Sequence, residues 1–163
     1  ILSRLNNVVK EVTIKLNKYK IGLATGKLYD FVWSDFCDWY IEATKPMLYG
    51  DNERAKLNAL TVLNFVLDEI LKLMHPFIPF VTEEIYQYKQ TGKRHALMMQ
   101  EWPKYNKKFN YYKEAKAFEG VMDIIKAIRN VRNEMQVAPS KKIKVYVKAG
   151  EHAAVVEKLS TYI

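Results

Sequence analysis

Two prolines three residues apart, Pro76 and Pro79, interrupt the apolar run from His75 to Phe80, and Val81-Thr82-Glu83-Glu84-Ile85-Tyr86-Gln87 follows at once. Proline fixes φ and removes a backbone donor, so this pair must stop one helix and can sit at the first turn of the next. Glu83 and Glu84 are expected in that first turn, where the helix dipole favours negative charge. Adjacent residues on a helix point about 100° apart, so the two do not read as a catalytic carboxylate pair. The corner reads as a packing device, with His75 in a capping or packing role.

Helical periods surround this corner. Ile1, Leu5, Val8, Val12, Leu16 and Tyr19 recur at steps of three and four, one face of an amphipathic helix, and Lys20-Ile21-Gly22 reads as a short connection. Residues 23–49 carry Leu28, Val32, Phe36 or Cys37, Trp39 or Tyr40, and Ala43 near the same period. Their six aromatic side chains from Tyr29 to Tyr40 make that helix apolar on more than one side, as expected at the centre of a bundle. Pro46 is expected near its end, with Gly50 closing the turn. Asp51 is expected to cap a third helix with the stripe Leu57, Leu60, Leu63, Leu67, Ile70, Leu71 and Met74. A fourth runs from about Phe80 to Gln90, with Gly92 as its stop. Ala96–Met99 reads as a short extended segment and Trp102-Pro103 opens a long ordered loop. A fifth helix resumes near Tyr112, buried along Phe118, Val121, Met122, Ile125, Ile128 and Met135.

After Ala138-Pro139-Ser140 the period changes to two. Ile143, Val145 and Val147 alternate with Lys142, Lys144, Tyr146 and Lys148, a half-buried strand with a basic outer face. A last helix is expected from about Glu151. A lone strand cannot stand by itself, so the chain is expected to stop inside a second unit. The fold class that results is mainly α: an antiparallel helical bundle over residues 1–138, with the start of a small, truncated α/β unit over 139–163.

Hydrophobic side chains make up 49% of the 163 residues, which argues against disorder. No apolar run approaches the roughly 20 residues that span a bilayer, and no secretory signal opens the chain. The absence of an initiator methionine is expected of a piece cut from a longer protein. A single cysteine, Cys37, excludes an internal disulfide framework and fits a cytoplasmic setting. It reads as a small buried hydrophobe rather than a reactive thiol. The net charge of +8 is concentrated in residues 101–163, where thirteen basic side chains face seven acidic ones. A polyanion such as RNA and lysine used for solubility explain that excess equally well.

No catalytic signature is present. The six glycines form no phosphate loop, the three histidines have no metal-ligand spacing, and no serine or cysteine is matched to a base. Binding is better supported. In Ile128-Arg129-Asn130-Val131-Arg132-Asn133 the two arginines are three apart and project on one side of a helix. Guanidinium forks suit phosphate, and asparagine reaches sugars or base edges. A solvated or ion-paired face, with Glu134 or Asp123 as partner, is the plainer reading of the same residues. The aromatic cluster around Trp33 and Trp39 could stack on bases, but at helical spacing core packing is expected.

Four passages carry a resemblance: Ile1-Leu2-Ser3-Arg4-Leu5-Asn6, Tyr29 through Glu42, His75–Gln87, and Ile128 through Lys142. Together they resemble the anticodon-binding helical domain of class I aminoacyl-tRNA synthetases, in the branch that charges aliphatic amino acids. The last two passages, with Gln100-Glu101-Trp102-Pro103, are similar to the valyl-tRNA synthetase family in particular. Tyr86 stands where that family often has tryptophan, and Ala138 where proline is frequent. The ATP-binding signatures of the family, of His-Ile-Gly-His and Lys-Met-Ser-Lys-Ser type, are not in this chain, nor is the Asn-x-x-Arg-Phe-like helix that normally precedes the first passage. The resemblance therefore implies an inactive piece of a valine-charging ligase, without cofactor of its own, whose parent uses ATP and Mg²⁺. Its implied partners are the anticodon stem-loop of tRNA(Val) and the remaining synthetase domains of the same chain, with no membrane. Arg4, Arg129, Arg132, Lys141 and Lys142 are the residues expected to position RNA phosphates. The alternatives are an isoleucyl-type parent or a purely structural, protein-interaction bundle.

Overall fold

The computed structural model describes residues 1–91, 94–138, 140–148, 150 and 153–160, in two units, Ile1–Asn110 and Tyr111–Ile163. In the first, helix α1 (Leu2–Asn17) buries Leu5, Val8 and Val12 of the expected stripe, with Val9 beside them, whereas Tyr19 of that stripe lies beyond the helix and is exposed. The helix ends in a Schellman motif: Tyr19 N–H bonds Leu16 O at 2.9 Å and Lys20 N–H bonds Lys15 O at 2.9 Å. Tyr19 takes the left-handed conformation this requires, with φ 56°. The connection is thus Lys18–Lys20, and Ile21 and Gly22 already belong to α2 (Ile21–Asp30).

From α2 the backbone continues without a break into an eleven-residue π-helical segment (Phe31–Ile41) and then α3 (Glu42–Tyr49). The π segment changes which residues face inward. Bonding from i to i+5 widens the turn, and the buried positions Phe31 and Phe36 are five apart, with Ile41 packed on the core five further on. Trp33 consequently turns outward. It is 58% exposed and stacks on Tyr29 with ring centroids 6.1 Å apart and planes 4° from parallel. The expectation that Trp33 packs in the core is corrected by this change of period. Cys37 packs against the core at intermediate burial; burial and the Asp38 carboxylate push its thiol up, away from reactivity. Gly50 closes α3 because a Cβ there would stand 2.8 Å from the Pro46 carbonyl oxygen.

Helix α4 (Glu53–Met74) is capped by Asn52, whose side chain accepts the Ala55 N–H at 3.0 Å. Asp51, the expected cap, is one residue too early. The inward face of α4 runs through Ala59, Val66, Ile70 and Leu73, while Leu57 and Leu60 of the expected stripe are exposed. At the proline corner α4 stops at Met74 and α5 (Pro79–Lys89) begins with Pro79. Thr82, fully buried, ties the corner together: its hydroxyl lies 3.0 Å from Ile78 O and 2.8 Å from His75 Nδ1.

Glu83 falls in the second turn of α5, not the first, and does something else. Its carboxylate accepts the Leu97 N–H at 2.9 Å and the Gln87 amide at 2.6 Å. With Gln90, which exchanges two 2.8 Å bonds with the His95 backbone, it holds the outgoing chain against α5. That chain makes a 3₁₀ turn at Leu97–Met99 rather than an extended segment. It then crosses to α1, where Trp102 Nε1 donates to Thr13 Oγ1 at 2.9 Å. A second 3₁₀ turn, Lys107–Phe109, presents Phe109 edge-on to Phe65 and its carbonyl to Ser3 Oγ, 2.8 Å away. Asn6, buried on α1, bonds the backbone of Asn106 on both sides.

In the second unit, α6 (Tyr112–Glu134) buries Val121 and Met122, whereas Met135 of the expected stripe is exposed. The C-terminal α/β start is not seen: residues 142–148 carry no regular element, and no strand occurs among the described residues. Ile143, Val145 and Val147, expected to be half-buried, are exposed, though less so than Tyr146. A strand needs a neighbour to satisfy its backbone groups. Helix α7 spans Ala153–Lys158; Gly92 and Glu151, expected as a helix stop and a helix start, lie outside the described residues. No described helix is long and apolar enough to cross a membrane.

Candidate nucleic-acid interface

The basic residues divide between the two units. Arg4, on α1, forms an ion pair with Asp35 of the π segment, both side chains being largely covered. Its charge therefore links two elements of the helical unit. Arg129, Arg132, Lys141 and Lys142 all belong to the second unit.

There, α6 ends in a second Schellman motif. Gln136 N–H bonds Asn133 O at 3.1 Å and Val137 N–H bonds Arg132 O at 2.8 Å. Gln136 occupies the left-handed position with φ 51°. A side chain there costs roughly 1–2 kcal/mol against glycine, offset partly by glycine's greater unfolded freedom. Gln136→Gly is thus expected to stabilise the α6 terminus by about 0.5–1 kcal/mol. Urea denaturation followed by helical circular dichroism checks this, and a lowered midpoint would contradict the motif.

The motif turns the chain back over the last turn of α6. Arg132 meets it there: its Nη2 donates to Ala138 O at 2.6 Å and to Lys141 O at 2.9 Å. Ala138 O also accepts the Lys141 N–H at 3.0 Å. Arg132 also lies where a cation complements the negative end of the helix dipole. One turn earlier, Arg129 is exposed, as are Lys141, Lys142, Lys144 and Lys148 beyond the helix. On the same helix Asp123 pairs with Lys126 at 3.5 Å. The structure thus brings Arg132 and Lys141 together directly. Sequence reasoning paired Arg129 with Arg132 by spacing and missed the grip of Arg132 on the following segment, because Gln136 hides a helix stop that glycine would have announced. Among the described residues no group of three His, Cys, Asp or Glu side chains could hold a metal ion.

Residues 1–147 match the family model described as the anticodon-binding domain of tRNA ligase. The chain belongs to that family. Similar curated proteins are valine–tRNA ligases. That of Clostridium acetobutylicum is 48% identical over 147 residues, 90% of this chain and 17% of the relative. That of Clostridium perfringens is 46% identical over 153 residues, 94% of this chain and 17% of the relative. That of Bacillus thuringiensis is 39% identical over 165 aligned residues, all of this chain and 19% of the relative. The chain thus spans less than a fifth of the length of these relatives.

Proposed function

We propose that this chain is the part of a valine–tRNA ligase that holds the anticodon stem-loop of tRNA(Val), while other parts of the same polypeptide join valine to that tRNA with ATP and Mg²⁺ in the cytoplasm. The bundle is taken to run over residues 1–138, with 139–163 beginning a further unit. The residues here do not fit ATP or its metal: there is no phosphate loop in the sequence and no metal-binding cluster among the described residues. Their chemistry is recognition.

The observation that carries this reading is the exposed basic run of Arg129, Lys141, Lys142, Lys144 and Lys148 on a domain of the anticodon-binding family. RNA stems are bound mostly through phosphate and 2′-hydroxyl contacts, and loops through unstacked bases. Arg129, Lys141 and Lys142 are assigned to phosphates. Arg4 and Arg132 complete the proposed set from behind, Arg4 by holding α1 to the π segment through Asp35.

Each phosphate contact contributes about 0.7–0.9 to the slope of log affinity against log salt. In the whole protein, Lys141→Gln with Lys142→Gln is expected to lower that slope for a tRNA(Val) transcript by about 1.5. An unchanged slope and unchanged aminoacylation KM would instead favour a bundle that only spaces other domains. Valine-dependent ATP–pyrophosphate exchange on the whole protein tests the amino acid; exchange driven by isoleucine would refute it.

A further inference from the structure

Arg132 makes more use of its surroundings than a phosphate-binding arginine needs to. Its own carbonyl accepts the Val137 N–H that closes the helix, and its Nη2 reaches two further carbonyls, Ala138 O and Lys141 O. Ala138 and Lys141 are thus both tied to the end of α6, and Lys142 follows directly. The Lys141 carbonyl belongs to the peptide that joins those two lysines, so the bond at 2.9 Å orients the pair as a unit. Lysine side chains are flexible point charges with large rotamer entropy. A fixed backbone beneath them lowers the ordering cost of placing two ammonium groups on successive phosphates.

We infer that Arg132 is a positioning residue for RNA: it holds the Ala138 and Lys141 carbonyls so that Lys141 and Lys142 meet the phosphate backbone as a preset pair, and it does not itself contact phosphate. The inference rests on the RNA-binding reading of this segment. It differs from a generic helix-end interaction in acting through two named lysines. It also separates charge from geometry, since both bonds leave the terminal Nη2, and a lysine ammonium keeps the charge on a shorter stem that does not reach the same point.

The test uses the whole protein and a tRNA(Val) transcript, with two readouts. Hydrogen exchange without RNA reports the backbone: in Arg132→Gln and Arg132→Lys the Lys141 amide is expected to exchange at least about tenfold faster, its bond to Ala138 O having lost support. Affinity against salt reports the role. Both Arg132 variants are expected to weaken binding about three- to tenfold with the salt slope unchanged. Added to Lys141→Gln with Lys142→Gln, Arg132→Gln is expected to have no further effect, as residues acting through one another are non-additive. A slope lowered by Arg132→Gln and restored by Arg132→Lys would make Arg132 a phosphate ligand and overturn the inference. Unchanged exchange at Lys141 would overturn it as well. If the lysine pair alone leaves affinity and slope untouched, the RNA reading of the segment fails, and the inference with it, whatever the exchange shows.

Discussion

Phe31→Ala is expected to lower the stability of the helical unit by about 3–5 kcal/mol, the range for an aromatic side chain deleted from a well-packed core. Total stabilities of such domains are about 5–15 kcal/mol, so the variant should be partly unfolded at moderate temperature. Phe31 is 1% exposed and packs in the cluster formed by Leu5, Val8 and Val12 of α1, Leu28 of α2, and Val66, Ile70 and Leu73 of α4. It stands where α2 passes into the π segment, and the inward positions step from Leu28 to Phe31 to Phe36. Trp33, two residues on, is the control. As it is exposed and stacked on Tyr29, its replacement by alanine is expected to cost no more than about 1 kcal/mol, surface area and one aromatic pair. Equal losses from the two variants, measured by urea denaturation, would show that this helix keeps an ordinary period and that Trp33 is a core residue.

The contrast between those two residues shows where sequence reasoning stops. The stripe of α1 was legible because its helix is regular and its apolar residues obey one period from Leu5 to Val12. The corner at Pro76 and Pro79 was legible because proline's restrictions are local. In residues 31–41 the same template misplaces side chains: Phe36 and Cys37, or Trp39 and Tyr40, are indistinguishable by hydrophobicity, and only the i to i+5 backbone decides among them. Asp51 and Asn52 are both good caps, so the start of α4 could be read one residue early. Glu83 was explained by the helix dipole, a local effect, when its partner is the Leu97 N–H fourteen residues away. The basic segment shows the same division. Charge and exposure at Lys141 and Lys142 could be read from composition, but the backbone beneath them depends on hydrogen bonds from Arg132 to carbonyls, and a carbonyl has no signature in a sequence.

Asn6 is the clearest long-range case, and Asn6→Asp is expected to destabilise the helical unit by about 3–4 kcal/mol although the two side chains are nearly the same shape. Asn6 is 2% exposed. Its amide nitrogen donates to Asn106 O and to Asn110 Oδ1, each at 2.9 Å, and its oxygen accepts the Asn106 N–H at 2.8 Å. It thus reads both backbone groups of a residue one hundred positions away. A carboxylate keeps the acceptor and loses both donors, bringing a charged oxygen against the Asn106 carbonyl at a position that is itself buried. Asn6→Ala is the milder change, expected to cost about 2 kcal/mol, since it leaves the Asn106 backbone unpaired without adding a buried charge. In both variants the segment from Tyr105 to Asn110 should loosen from α1, taking Phe109 off Phe65. Hydrogen exchange at the Asn106 amide should then rise while amides in the middle of α4 stay protected at low denaturant. The aspartate variant should recover part of its loss as the pH falls towards 4, because a protonated carboxyl regains one donor. If Asn6→Asp left the denaturation midpoint unchanged at neutral pH, the bonds to Asn106 and Asn110 could not be what holds residues 105–110 in place.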